Sequence, residues 1–302
     1  MKLEPEQESI LRGESGRALA LAMKTLVDYG DAFGAARMVP VRSGHLAGTF
    51  GALSFKAYYE VLDRLVAEGV KVRVPTTMNP RPGHKLGLVS RVVFYKQAKL
   101  ERNLEAIGVT PNYSCVCYED DNRPGPGDFL GWAESSAVQF ANSVLGARTN
   151  RNSILIDVCS AVTGVTPEFG YLLDENRRGR VLVKVAAKDI DVNALGFIIG
   201  REAVNRVPVI EHLDLDEIEL KNMGGAMAAS GAVALFHVEG LTPEAPDLKA
   251  AFDGHEPEET ITITQKDLDD LRTDRPDHAD MVVFGCPQMS FDEAVTLAGR
   301  FT

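Results

Sequence analysis

The sequence predicts an α/β protein with mostly parallel strands and with polar loops gathered at the carboxyl ends of those strands. Short segments rich in Val and Ile alternate with amphipathic helical segments from Met38 to Phe301, and this alternation is typical of α/β layers. Clusters of hydroxyl, amide and guanidinium side chains follow several strands, where open α/β sheets bind ligands. The chain of 302 residues, 45% of them hydrophobic, is long enough for one large or two ordinary domains.

The composition argues against several classes of partner. The chain has 43 Asp and Glu residues against 32 Lys and Arg, a formal net charge of −11, whereas nucleic-acid and membrane surfaces need clustered Lys and Arg. No apolar run approaches the ~20 residues that span a bilayer, and the first residues do not open a signal peptide. We therefore expect a cytoplasmic protein with a small-molecule or protein partner, no nucleic acid and no membrane. Its four cysteines are expected to be core residues, metal ligands or nucleophiles rather than a disulfide framework.

Two helices open the chain, and a strand with a polar loop follows them. Pro5 suits a first helical turn, and the apolar residues between Leu19 and Val27 line one face of a second helix that ends near Gly30. A strand is expected from Met38 to Val41, followed by a loop that contains His45. This histidine is a candidate proton donor or ligand contact; a hydrogen-bonded loop histidine without a catalytic role is the open alternative.

A helix from about 54 to 68 and a strand from Val70 to Val74 repeat the alternation. The strand runs into the sequence TTMNPRPG at 76–83, where two hydroxyls, an amide and an arginine follow a strand end. This arrangement suits a pocket for an anion or a hydroxy acid, and a turn fixed by its prolines is the alternative.

A fourth helix, at 96–107, leads into an extended segment at 112–118. Cys115 and Cys117 alternate in this segment, so they share one face if it is a strand. A lone C-x-C pair is a weak signal for a metal site. The loop that follows, at 119–128, is acidic and rich in Pro and Gly, which predicts a surface excursion.

The segment at 134–150, ESSAVQFANSVLGARTN, predicts a helix of about three turns, with Gly146 as a left-handed C-terminal cap. Asn142 and Ser143 lie in its interior, although both residue types form helices poorly. A role outside helix formation explains them. The alternative is that both side chains face solvent or bond back to the preceding turn.

The second half of the chain continues the alternation and contains the best domain boundary. Cys159 lies in an apolar run and is expected as a buried core thiol. The small residues of GGAMAASGAVALFHV at 224–238 permit close packing of backbone on backbone before a buried strand at 233–238. Proline and charge accumulate after Gly240. We therefore expect a main α/β region at 1–240, a linker at 241–258 and the start of a second, incomplete α/β unit at 259–302.

The last segment places a cysteine between a strand and a helix. A buried strand is expected from Met281 to Phe284, followed by Cys286, and Ser290 with Glu293 forms a capping box for a helix at 291–301. Backbone N–H groups and a helix dipole near Cys286 favour a thiolate.

Several of these segments together resemble the aconitase X family. They are FANSVLGARTNR at 140–151, VPTTMNP at 74–80, Ser-Cys at 114–115, SGAVALFHVEGLTPEA at 230–245 and FGCP at 284–287. The resemblance covers essentially the whole chain. It implies an aconitase-like fold of stacked α/β/α layers with mostly parallel sheets, hydro-lyase activity, and a separate small swivelling-domain subunit that closes the active site.

The resemblance also implies roles for individual residues. Cys115 and Cys286 match two cysteines that hold an iron-sulfur cluster or iron, which acts as a Lewis acid on the leaving hydroxyl. The family's third cysteine and its Ser-Arg pair, with the serine as base, have no counterpart before Thr302, so the chain is expected to be truncated and His45 stays the catalytic candidate within it. The substrate contacts implied by the family are Gly48, Thr49, Phe50, Asn79, Pro80, Asn142 and Ser143.

Three functions remain open at this point. The first is a dehydratase that acts on a small hydroxy acid, with 3-hydroxyproline slightly favoured. The second is the large subunit of a 5-phosphomevalonate dehydratase. The third is a catalytically inactive scaffold that keeps the fold and binds a partner subunit.

Overall fold

The computed structural model describes residues 1–47, 56–80, 88, 92, 94–271, 278 and 280–300. The chain divides into two compact units. The first comprises Met1–Glu134 and Arg148–Leu173, and the second comprises Ser135–Ala147 and Asp174–Thr302. The two units are therefore interleaved in sequence, with crossings after Glu134, Ala147 and Leu173.

The described helices and strands alternate along the chain. The helices are α1 Pro5–Leu11, α2 Arg17–Ala32, α3 Lys56–Ala67, α4 Gln97–Ala106, α5 Ser135–Ser143, α6 Ile154–Thr163, α7 Val192–Ala203, α8 Glu217–Gly231, α9 Leu248–Ala251, α10 Gln265–Asp270 and α11 Phe291–Ala298. The strands are β1 Met38–Pro40, β2 Ser43–Leu46, β3 Thr76–Met78, β4 Leu130–Trp132, β5 Val165–Pro167, β6 Val181–Val185, β7 Pro208–Ile210, β8 His237–Val238 and β9 Glu259–Ile263.

The first unit contains a three-stranded parallel sheet in the order β3-β2-β4. The central strand β2 aligns His45 with Thr77 on one side and with Trp132 on the other. A separate antiparallel pair joins β1 to β5. Residues of α2, α3, α4 and α6 form the hydrophobic core of this unit, with Met23, Leu26, Leu62, Leu100 and Val158 fully buried.

The second unit contains a four-stranded parallel sheet in the order β8-β7-β6-β9. Its core includes Val181 and Val183 of β6 and the apolar faces of α7 and α8. The prediction of an α/β fold with mostly parallel strands is confirmed, because β1–β5 is the one antiparallel pair among the described strands.

Glycines allow α7 and α8 to pack backbone against backbone, as the run of small residues predicts. A Cβ atom on Gly231 would lie 1.7 Å from the carbonyl oxygen of Gly200, and one on Gly196 would lie 2.2 Å from that of Met223. Real Cβ atoms do not come this close to backbone, so only glycine fits at these crossings.

The observed division of the chain differs from the predicted boundary at 241–258. Ala245, Ala251 and Phe252 are buried against Val209 of β7, so this segment is part of the second unit. Strand β9 pairs with β6 along its whole length and completes the same sheet. Local accumulation of proline and charge indicates surface exposure, and here it marks a surface loop within one unit rather than a linker.

Some local expectations are corrected by the structure. Residues 43–46 form the central strand β2 rather than a loop. The segment 70–74 is not a strand. The amides of Val72 and Arg73 donate to the carbonyls of Ile107, at the end of α4, and Ala161, in α6, rather than to a neighbouring strand. Cys115 and Cys117 do not alternate along a strand, since a 3₁₀ helix begins at Cys117. Residues 281–284 are exposed and pair with no described strand.

Candidate functional site

Strand β2 buries His45 completely in the first unit. Its Nδ1 lies 2.8 Å from the Thr77 hydroxyl oxygen, and its ring meets the indole of Trp132 edge to face at 5.9 Å between centroids. Burial lowers the pKa of His45 to about 4, although the side chain of Asn79 acts in the opposite direction. The histidine is therefore neutral near pH 7.

Asn122 fixes the threonine that holds this histidine. Its amide nitrogen donates to the Gly44 carbonyl at 3.0 Å and to the Thr77 hydroxyl oxygen at 2.9 Å, and the side chain is buried. The sequence analysis missed Asn122, because it lies in the acidic loop that was expected to be a surface excursion. The neighbouring Asp, Pro and Gly residues predict exposure, but the fold buries Asn122 among them.

Asn79 and Pro80 follow directly after β3. The Asn79 amide donates to the Leu46 carbonyl at the end of β2 at 3.0 Å, so the carboxyl ends of the two parallel strands meet here. Two buried polar atoms, Asn79 Oδ1 and His45 Nε2, have no hydrogen-bond partner among the described residues. Buried polar atoms are normally satisfied, and these two lie where parallel strands end, so they form a candidate ligand site. Gly48, Thr49 and Phe50, the other predicted contacts on this side, lie outside the described residues, as do 81–83.

The cysteines of the first unit differ in exposure. Cys115 is partly buried in a segment that the amide of Ser114 ties to the Met78 carbonyl at 3.3 Å, close to the end of β3. Burial raises the pKa of the Cys117 thiol far above its ordinary value, and it raises that of Cys159 to about 12. Both buried cysteines are neutral thiols, and Cys159 is the core residue that the sequence predicts.

In the second unit, Asn142 and Ser143 are buried at the end of α5 and hold a neighbouring segment. Asn142 Nδ2 donates to the Ala234 carbonyl at 2.9 Å, and Ser143 Oγ accepts the amide of Phe236 at 2.9 Å. These bonds explain why polar residues interrupt a helical pattern, and they exclude the alternative that both side chains face solvent. The predicted contact of Asn142 and Ser143 with substrate stays a prediction.

Arg177 is a second buried polar residue that the sequence analysis did not single out. It is 2% exposed, donates to the Asn142 carbonyl at 3.0 Å, and places its Nε 2.9 and 3.0 Å from the two carboxylate oxygens of Glu244. His237 Nε2 in turn donates to the Arg177 carbonyl at 2.8 Å, and burial lowers the pKa of His237. A polar cleft of about 400 Å³ lies beside these side chains.

Cys286 is exposed and has a backbone φ of +58°, just before α11. The predicted capping box is confirmed: Ser290 Oγ accepts from the Glu293 amide, and Glu293 accepts from the Ser290 amide. Glu293 also pairs with Lys221, which is buried on α8. Burial opposes ionisation of Glu293, but Lys221 and Ser290 lower its pKa overall. These contacts fix the start of α11 and the segment that carries Cys286.

Within the part of the chain that the structure describes, no group of three or more His, Cys, Asp or Glu side chains is arranged to hold a metal ion. None of the four cysteines, all of them among the described residues, forms a disulfide. Cys115 and Cys286, the two predicted metal ligands, are also the two that are accessible to solvent. None of the described helices has the length and apolar character needed to cross a membrane.

Comparisons with known proteins show similarity to one protein family along nearly the whole chain. Family models described as Aconitase X first domain and Aconitase X second domain match residues 1–175 and 179–273. The phosphomevalonate dehydratase large subunit of Thermococcus kodakarensis is 40% identical over 99% of this chain and 76% of its own length, and that of Methanosarcina mazei is 38% identical over 97% of this chain and 74% of its own. The cis-3-hydroxy-L-proline dehydratase of Pseudomonas aeruginosa is 35% identical over 98% of this chain and 53% of its own.

A solved structure has the same fold. The crystal structure of Thermococcus kodakaraensis aconitase X in its holo-form superimposes with a TM-score of 0.88, at 38% sequence identity, over 99% of this chain and 77% of that one.

Proposed function

Because the chain belongs to the aconitase X family, we propose that it is the large subunit of a dehydratase, a hydro-lyase that removes water from a small hydroxy acid. The observation that carries this proposal is the similarity of nearly the whole chain to relatives that are all named as dehydratases. An inactive scaffold would require the same fold. It would not require two accessible cysteines, or buried polar atoms without hydrogen-bond partners at the strand ends.

The substrate that the comparisons favour is 5-phosphomevalonate. Five phosphomevalonate dehydratase large subunits are 32 to 40% identical to this chain, and three of them reach 37% or more, whereas two cis-3-hydroxy-L-proline dehydratases are 35 and 31% identical. The chain also covers 76% of the Thermococcus subunit but 53% of each hydroxyproline enzyme. The sequence alone leans slightly to 3-hydroxyproline, and this substrate is the second candidate, supported by the similarity to the Pseudomonas enzyme.

The partner we propose is a small subunit that closes the active site, as the words large subunit in the names of the most similar relatives indicate. Dehydration needs a site from which bulk water is excluded, and a closing domain supplies that exclusion. The free thiols of the chain suit a reducing compartment such as the cytoplasm.

We further propose that Cys115 and Cys286 hold an iron-sulfur cluster or iron. Their chemistry fits this role, because thiolates are the usual protein ligands of iron-sulfur clusters, and both are accessible while Cys117 and Cys159 are buried neutral thiols. When bound, the iron would serve as a Lewis acid toward the leaving hydroxyl. The described residues contain no group of three or more candidate ligand side chains, so the remaining ligands are left open by this proposal.

The residues of the first unit would bind and orient the substrate. Asn79 Oδ1 and His45 Nε2 are buried and have no hydrogen-bond partner among the described residues, at the ends of adjacent parallel strands. Gly48, Thr49 and Phe50 follow the first of these strands in the sequence. In the second unit, Asn142 and Ser143 would contribute by holding α5 and the 234–236 segment in place.

The test is a direct comparison of the two substrates. The chain is purified anaerobically with the small subunit of a phosphomevalonate dehydratase, reconstituted with iron and sulfide, and assayed for dehydration of 5-phosphomevalonate and of cis-3-hydroxy-L-proline. We expect a higher kcat/KM for 5-phosphomevalonate. The opposite preference would favour the hydroxyproline function, and no turnover of either substrate by an iron-loaded assembly would favour the inactive scaffold. Asn79→Ala serves as the site control, and it should reduce turnover of the preferred substrate.

A further inference from the structure

The hydrogen bonds around His45 determine which of its two ring nitrogens carries the proton. A neutral imidazole has one N–H donor and one acceptor nitrogen, and the choice decides whether the free Nε2 gives or takes a hydrogen bond. His45, Thr77 and Asn122 are all buried in the first unit. The donor and the acceptor of each hydrogen bond among them can therefore be assigned in turn.

The orientation of Asn122 is settled by a backbone carbonyl. The Gly44 carbonyl oxygen can only accept, so the Asn122 atom 3.0 Å from it is the amide nitrogen. The same nitrogen lies 2.9 Å from Thr77 Oγ1, and an amide N–H₂ can only donate. The threonine oxygen therefore accepts one hydrogen bond from Asn122. It retains one hydroxyl proton and one lone pair.

The hydroxyl proton of Thr77 has two possible acceptors. One is His45 Nδ1 at 2.8 Å, and the other is the sulfur of the buried Cys117 beside it. A thiol sulfur is a weak acceptor, whereas an imidazole nitrogen with a free lone pair is a strong one. The Thr77 hydroxyl therefore donates to Nδ1. This leaves the ring proton of neutral His45 on Nε2.

We propose that Asn122 and Thr77 are positioning residues that fix His45 as its Nε2–H tautomer, so that His45 donates a hydrogen bond to a substrate oxygen rather than removing a proton from the substrate. This inference rests on the proposed dehydratase function. It deepens that function by giving His45 the role of a donor to a carboxylate, phosphate or hydroxyl oxygen. It also leaves the base to another group.

The surroundings of Nε2 support this role. Nε2 is buried and has no hydrogen-bond partner in the described part of the chain, and neither has the amide oxygen of Asn79 nearby. Asn79 raises the pKa of His45, as an acceptor facing an N–H does. Neither atom forms a hydrogen bond among the described residues. A substrate oxygen is therefore the partner that Nε2–H lacks.

The tautomer can be measured directly by nuclear magnetic resonance. The full chain is labelled with ¹⁵N in its histidine rings, long-range ¹H–¹⁵N spectra assign the tautomer of each ring, and His45→Gln identifies the His45 signals. We expect a proton on Nε2 in the wild type, a changed Nδ1 chemical shift in Thr77→Val because Nδ1 loses its hydrogen-bond donor, and recovery of the wild-type pattern in Thr77→Ser. His237 is the internal control, since its Nε2 donates to the Arg177 carbonyl and none of these substitutions touches it.

The functional consequence is measured in the assembly with the small subunit. Thr77→Val should lower kcat/KM by about tenfold, the size of one lost hydrogen bond to the substrate, and Thr77→Ser should restore it. Added substrate should also shift the Nε2–H resonance of the wild type. A proton on Nδ1 of wild-type His45, or a Thr77→Val variant with an unchanged Nδ1 chemical shift and unchanged kcat/KM, would overturn the proposal. Failure of the proposed function is seen separately, as absence of turnover by the wild-type assembly.

Discussion

At the scale of single residues, the carboxyl group of Asp157 is unusual because it is completely buried. It lies on α6 with no exposed surface, accepts one hydrogen bond from Asn152 Nδ2 at 3.3 Å, and has a second oxygen with no partner among the described residues. Burial raises the pKa of Asp157 well above its ordinary value. A group of this kind stays protonated in the folded protein at pH values where it ionises in the unfolded chain.

This shift predicts a pH dependence of stability. Because the folded pKa exceeds the unfolded value of about 3.9, the folded state holds the proton more tightly. Its stability therefore falls as pH rises from about 4 toward the folded pKa. Asp157→Asn removes this titration, so its stability relative to the wild type should increase across that range by up to about 1.4 kcal/mol per pH unit. Urea denaturation between pH 4.5 and 8 measures the difference. The exposed Asp120→Asn is the control, and a difference independent of pH would contradict the assignment.

The two accessible cysteines carry the metal prediction. Replacing Cys115 or Cys286 by Ser should remove most of the iron bound after anaerobic reconstitution, because each substitution deletes a thiolate ligand. Cys159→Ala should retain the iron, since Cys159 is a buried neutral thiol. Iron and labile sulfide content, measured before any assay of activity, decides the matter. Equal iron in all three variants would show that other residues hold the metal.

Residue chemistry was predictable from sequence where a side chain acts locally, and unpredictable where its partner is distant in sequence. The burial of Cys159 and the Ser290–Glu293 capping box follow from neighbouring residues, and both are observed. Asn122 reaches Gly44, a residue 78 positions away, and Arg177 reaches Glu244, 67 positions away. No local pattern indicates such pairs.

At the scale of elements, the crossing of α7 and α8 depends on glycines. Gly231→Ala should destabilise the protein by about 1–3 kcal/mol or more, because the added Cβ would lie 1.7 Å from the Gly200 carbonyl oxygen and rigid backbone must move. Chemical denaturation, followed by circular dichroism, measures the loss.

A matched glycine provides the control for that substitution. Gly299 follows α11 in the same unit, has right-handed helical backbone, and a Cβ there would have its nearest neighbour at an ordinary 3.6 Å. Gly299→Ala should therefore leave stability unchanged or raise it slightly. Similar losses in the two variants would mean that the close crossing of α7 and α8 is not what requires glycine.

Helices were located better than strands, and the reason is physical. The periodicity of α3, α4 and α7 is set by residues three and four apart, so it is visible in a short stretch of sequence. A strand exists only when another segment pairs with it. Residues 43–46, with Gly and His, carry no strand pattern but are fixed between β3 and β4, whereas the apolar residues 281–284 are exposed and belong to none of the described strands.

At the scale of the whole molecule, the chain is divided in a way that composition does not indicate. The segment FANSVLGARTNR crosses from the second unit to the first between Ala147 and Arg148. Its first part holds the 234–236 segment through Asn142 and Ser143. In its last part, Asn150 accepts the amide of Tyr171 at 2.9 Å and donates to the Phe169 carbonyl at 2.9 Å. One motif therefore supplies internal bonds to both units, and the expected boundary near residue 240 could not have shown this.

The last prediction concerns the assembly in which the chain works. The more similar relatives are named large subunits, and the site atoms of the first unit, His45 Nε2 and Asn79 Oδ1, lack partners. In the proposed function these groups act on the substrate in the absence of bulk water. We therefore expect the isolated chain, loaded with iron and sulfide, to show negligible dehydration of 5-phosphomevalonate and of 3-hydroxyproline. Addition of the small subunit should restore turnover, with a rate that saturates at an equimolar ratio.

The control for this experiment is the Asn79→Ala chain, which should gain little activity from the same small subunit although its fold is intact by circular dichroism. Comparison of the two titrations separates closure of the site from non-specific stabilisation of the large subunit, since stabilisation would act on both chains alike. Robust turnover by the isolated wild-type chain would contradict the prediction. It would mean that the groups of this chain, with His45 as a hydrogen-bond donor, exclude water and complete the reaction without a closing subunit.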